Sequence, residues 1–141
     1  MRVRGVHHIG VAVRDLETSL ARWSALFGAT GSPIEEIPER GVRVVHLRFA
    51  EGPDIELVAP LGEGSPAARF LESRGEGLQH ITLEVDDIAA AMRELGRAGL
   101  RFVSDEPQEG SEGALVAFAH PKGLNGVLLE LRQGRPPGGR R

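Results

Sequence analysis

His8 and His80 stand 72 residues apart, and Glu56 and Glu130 stand 74 apart. Each histidine lies in a strand-like run, His8-Ile9-Gly10-Val11-Ala12-Val13 and His80-Ile81-Thr82-Leu83-Glu84-Val85. Each glutamate is a lone acid between aliphatics, Ile55-Glu56-Leu57 and Leu129-Glu130-Leu131. An isolated carboxylate in a buried strand is costly unless it is paired or bound to a metal. A single histidine or glutamate in a strand is more often structural than a ligand. Here two of each recur at matched positions, and that recurrence points to one pseudo-symmetric site. Two imidazoles and two carboxylates suit a divalent ion that keeps positions open for water or substrate.

The same offset runs through the surrounding chain, so the sequence reads as an internal repeat. Asp15-Leu16 matches Asp87-Ile88, and both acids sit where a helix N-cap belongs. Leu16, Leu20, Trp23 and Phe27 recur at helical spacing up to Gly28, and Ile88, Met92 and Leu95 do so up to Gly96 or Gly99. Strands are expected at 42–49, 54–58, 114–119 and 127–131, with further strands near 29–37 and 100–104. Each half is therefore β-α-β-β-β. Module one spans about 5–60 and module two about 77–132, joined by a linker and short helix over 61–76 that Ser65-Pro66 opens. Together they form a single domain over 1–132, and 133–141 is expected to be a disordered tail. Alternation turns Ile9, Val11 and Val13, and likewise Ile81, Leu83 and Val85, toward the helices. His8 and His80 then share the opposite faces with small neighbours.

Composition narrows the chemistry. The 141 residues contain no cysteine, which removes disulfides and thiolate ligands, so any metal rests on His and carboxylates. The net charge of −3 gives no support to nucleic acid or an anionic membrane as partner. No apolar run approaches the roughly 20 residues of a spanning helix. The N-terminus carries no apolar leader, so a cytoplasmic location is expected.

Several segments carry a family resemblance: His7-His8-Ile9-Gly10-Val11-Ala12-Val13, Ile55 to Gly62 with Ser65-Pro66, Gly77 to Ile88, and His120-Pro121-Lys122 with Gly126 to Leu131. Over about 5–132 the chain resembles the vicinal oxygen chelate superfamily (glyoxalases, bleomycin resistance proteins, dioxygenases), and within it the methylmalonyl-CoA epimerase family. The resemblance implies an α+β fold of two tandem βαβββ modules, a curved mixed sheet around a metal, with His8, Glu56, His80 and Glu130 as ligands. Some members carry Gln at the position of Glu56. It implies Co²⁺ first, with Mn²⁺, Zn²⁺ and Ni²⁺ compatible, an acyl-CoA substrate and a homodimer.

The implied reaction interconverts (R)- and (S)-methylmalonyl-CoA by removing the α-proton and returning it on the other face, through an enolate that the ion stabilises. Glu130 is the first candidate for the proton carrier and Glu56 the second. A metal-bound water and His46 stay open as partners, because Gly41-Val42-Arg43-Val44-Val45-His46 lacks the acid that some epimerases carry there. The rival readings are a glyoxalase I-type lactoylglutathione lyase, a metal-free small-molecule binding protein of the same fold, and an extradiol dioxygenase. A fourth ligand, Glu56, argues against the last, since oxygen chemistry needs that position. His7 is read as structural, His120-Pro121-Lys122 as a turn, and Trp23 and Phe27 as core or dimer surface.

Overall fold

The structure, a computed structural model, describes residues 1–134. The chain divides into two compact units, His8–Gln79 and Met1–His7 with the chain from His80 onward. Strand β1 (Val3–Ala12) gives its first half to the second unit and its second half to the first. Strand β6 (Gly77–Val85) crosses the same boundary.

The first unit continues with α1 (Leu16–Phe27), β2 (Thr30–Gly31), β3 (Glu35–Ile37), β4 (Val42–Arg48), β5 (Asp54–Pro60) and α2 (Pro66–Arg74). Its strand order is β2-β4-β5-β1, with β3 also on β4. β1 and β5 are parallel, and the other pairs are antiparallel. The Asp15 carboxylate starts α1 by accepting from the Thr18 N–H at 2.9 Å. Gly28, at φ 66°, stops it, with its N–H donating to the Ser24 carbonyl at 2.9 Å. An L side chain rarely adopts that left-handed conformation. Leu16, Leu20 and Trp23 pack on Val11, Val45, Leu47, Ile55 and Leu57. On the opposite sheet face, Val42, Val44 and Val58 gather with Ile37 and with Ala67 of α2. The expected connector is thus part of the first unit's packing.

The second unit adds α3 (Ile88–Arg97), β7 (Gln108–Glu109), β8 (Leu115–Ala119) and β9 (Leu129–Gln133) to β6. β6 and β9 are parallel, while β9–β8 and β8–β7 are antiparallel. Asp87 caps α3 by accepting from the Ala90 N–H at 3.0 Å. Ile88, Ala91 and Met92 pack on Val85, Ala117, Ala119, Leu129 and Leu131. The first residues of the chain are tied to this unit. The Arg2 N–H donates to the Asp86 carboxylate at 2.8 Å, which holds that carboxyl below its ordinary value. Leu57 and Leu131, repeat mates, are both fully buried. Replacing either with Ala should cost about 2–5 kcal/mol in urea unfolding, with similar losses at the two positions.

The α+β fold class and the βαβββ order are as expected, with local departures. The segment near 29–37 is two short strands, because Pro33 between them has no N–H for the ladder. Near 100–104 only Phe102 pairs, in a bridge to Ala119. Gln133, placed above in a tail, ends β9, and its side-chain oxygen accepts from the Ile88 N–H at 2.9 Å. The remainder of that expected tail, 135–141, lies outside the described residues. Ile81, assigned to the helix-facing set, is 37% exposed. Among the described residues no helix is long and apolar enough to cross a membrane.

Candidate metal and proton-transfer site

Each unit presents a histidine and a glutamate on the sheet face that its first helix does not cover. In the first unit, register sets Gly10 of β1 beside Glu56 of β5, and His8 beside Asp54. His8 and Glu56 are both buried, and His8 Nε2 lies 3.5 Å from Glu56 Oε1. In the second unit, Thr82 of β6 lies beside Glu130 of β9. His80 and Glu130 are likewise buried, and His80 Nε2 lies 3.4 Å from Glu130 Oε1. The four candidate ligands thus fall into two matched pairs, one per unit.

The pair distances bear on what the residues can hold. A direct N–H···O hydrogen bond spans about 2.7–3.2 Å. Two ligands at about 2.1 Å from one ion stand about 3.0 Å apart at a right angle and about 3.4 Å at the tetrahedral angle. Both pairs have the spacing of neighbouring ligands on one small divalent ion. Imidazole nitrogen with carboxylate oxygen is also a donor set such ions accept. The residues therefore fit the metal that the fold family implies.

Two further residues belong to these faces. Thr82 is completely buried, and its hydroxyl donates to Glu130 Oε1 at 2.5 Å. The sequence marked Thr82 only as a small neighbour of His80, although a hydroxyl in phase with the ligand was the available signal. His46, left open above, lies directly opposite Glu56 across β4–β5. It is 2% exposed, and its Nε2 is 3.2 Å from Glu56 Oε2. Its ring stands edge-on to His8, with centroids 5.1 Å apart and planes at 87°. Residues Pro121–Gly123 form a 3₁₀ turn. Trp23 packs on the first unit's core, while Phe27 against it is 61% exposed.

A repeated βαβββ module with His and Glu on matching strands defines a class of protein. The chain belongs to the glyoxalase/bleomycin resistance protein/dioxygenase superfamily, whose profile matches residues 7–118. Within that class it is similar to proteins named as methylmalonyl-CoA epimerases. It is 45% identical over 131 residues to the ethylmalonyl-CoA/methylmalonyl-CoA epimerase of Cereibacter sphaeroides, covering 91% of this chain and 96% of that protein. The crystal structure of methylmalonyl-CoA epimerase from Mycobacterium tuberculosis superposes with a TM-score of 0.91 at 34% identity, over 96% of this chain and 91% of that one. A Streptomyces coelicolor methylmalonyl-CoA epimerase variant in complex with 2-nitronate-propionyl-CoA gives 0.92 at 31% identity, over 96% and 100%.

Proposed function

We propose that this protein is a methylmalonyl-CoA epimerase, and that His8, Glu56, His80 and Glu130 hold one divalent ion at its reaction centre. The observation that carries the reading is the repeated buried His–Glu pair, spaced in both units as two ligands of one ion. The relatives' named activity supplies the substrate class, and His8, His80 and Glu130 are buried donors of metal-ligating type.

The C–H beside a thioester is weakly acidic, and its removal leaves negative charge on the thioester oxygen. A bound divalent ion supplies Lewis-acid stabilisation of that charge. The chain's own residues do the rest. The buried faces keep bulk water from the reacting carbon. Glu130 accepts the α-proton as general base, and the Thr82 hydroxyl on its Oε1 orients the carboxylate. A group on the opposite side of the substrate returns a proton, and Glu56, the repeat mate, is the assigned partner. Inverting the centre requires this two-sided arrangement. Co²⁺ is the assigned ion, with Mn²⁺, Zn²⁺ and Ni²⁺ as alternatives. A homodimer and a cytoplasmic location complete the proposal.

Substrate choice tests the class directly. The cobalt-loaded protein should convert (S)-methylmalonyl-CoA to the (R) form, read by a coupled mutase assay. It should form no lactoylglutathione from methylglyoxal and glutathione. The reverse pattern would make it a glyoxalase-type lyase, and oxygen uptake with an iron-loaded sample would make it a dioxygenase.

A further inference from the structure

The two half-sites follow one plan and differ in what steadies each carboxylate. Opposite Glu56 across β4–β5 stands His46, and opposite Glu130 across β8–β9 stands Phe118. His46 and Phe118 are 72 residues apart, the same offset as His8 and His80. Both rings stand edge-on to the histidine of their own unit. The His8–His46 centroids are 5.1 Å apart at 87°, and those of His80 and Phe118 are 5.6 Å apart at 83°. The shape of the position is kept between the halves, while its hydrogen-bonding capacity is not.

The supporting partners are exchanged between the halves as well. Glu130 accepts the Thr82 hydroxyl. The repeat mate of Thr82 is Gly10, also 72 residues away, which has no side chain to offer. In the first unit the neighbouring imidazole stands in that role, with His46 Nε2 3.2 Å from Glu56 Oε2. The other oxygen, Oε1, faces His8 Nε2 at 3.5 Å. Asp54 Oδ2 lies 3.5 Å from His46 Nδ1 and 3.3 Å from Arg48 Nε, so the imidazole stands between two carboxylates. A buried carboxylate oxygen facing a hydrocarbon ring in place of a donor would lose stabilisation that water cannot replace.

We propose that His46 is a positioning residue for Glu56. Its Nε2–H donates to Oε2, which leaves Oε1 as the single oxygen presented beside His8. The carboxylate is thereby held in one orientation, as outer partners of metal ligands commonly do. The half-sites are then unequal. Glu56 is steadied on the oxygen turned away from His8, and Glu130 on the same oxygen that faces His80. This inference rests on the ion site proposed above.

Divalent-ion affinity of the substrate-free protein tests it, measured by competition against a chromophoric chelator with Co²⁺. His46→Phe copies the residue of the other half and should bind Co²⁺ about 10–100-fold more weakly than wild type. His46→Gln can donate an amide hydrogen toward the same oxygen and should recover most of that loss. His46→Met is the apolar reference should Phe prevent folding, and it should bind as weakly as Phe. Wild-type affinity in the Phe or Met variant overturns the inference, and so does a Gln variant no better than either. Wild-type protein that binds no divalent ion overturns the ion site and this inference together. Unchanged affinity in the variants of an ion-binding wild type overturns this inference alone.

Discussion

Glu130→Gln is expected to lower α-proton exchange on methylmalonyl-CoA by roughly 10²–10⁴-fold, the range for loss of a positioned general base. The substitution keeps shape and removes the ability to hold a proton at that atom. The amide oxygen can still accept the Thr82 hydroxyl that now reaches Oε1, so the fold around β6 and β9 should persist. Metal content measured on the same sample separates the two roles assigned to Glu130. Retained ion with lost exchange places the defect in proton transfer. Glu56→Gln keeps an oxygen that can face a cation, as the resemblance accommodates, but removes the assigned return-side carboxylate, so it should keep exchange of one enantiomer's α-proton through Glu130 and lose conversion between the enantiomers. Wild-type exchange in Glu130→Gln would remove the base assignment.

The second large effect is expected from truncating either histidine. His8→Ala and His80→Ala each delete one nitrogen of a matched pair and leave Glu56 or Glu130 as a buried carboxylate beside a void. If one ion is shared by both pairs, either variant should weaken Co²⁺ binding by more than the 10–100-fold typical of an outer partner. Exchange activity should fall to near background in both. Elemental analysis after dialysis reads this as close to one ion per chain in wild type and a small fraction in each variant. Loss in one variant with full retention in the other would contradict a shared ion.

Much of this arrangement was legible in the chain because it is written twice. The period-2 pattern around His8 and His80, the aliphatic bracketing of Glu56 and Glu130, and the Asp15 and Asp87 caps are all local signals, and the repeat reinforced each of them. His46 was harder. In Val42-Arg43-Val44-Val45-His46-Leu47, apolar residues occupy both phases, and both faces of β4 are indeed buried, one against α1 and one near α2. Alternation therefore could not say which face His46 takes. Its place opposite Glu56 follows from the register of the β4–β5 hairpin, set by the turn between Phe49 and Pro53. The Thr82 hydrogen bond depends in the same way on the parallel register of β6 and β9, which joins residues 48 apart. The short strands β2, β3 and β7, two or three residues each, are too brief to show a period. Ile81 shows the limit of the alternation rule. It sits in the phase that faces α3 further along β6, yet is 37% exposed.

The paired histidines and glutamates are assigned a metal-dependent proton transfer at the carbon beside a thioester. Proton NMR of methylmalonyl-CoA in heavy water, with cobalt-loaded protein and with the same protein after chelation, measures that step itself. The C2 proton signal should disappear with the loaded protein, persist after chelation and disappear again when Co²⁺ is returned. A loaded, folded protein that leaves the C2 proton in place would contradict that assignment.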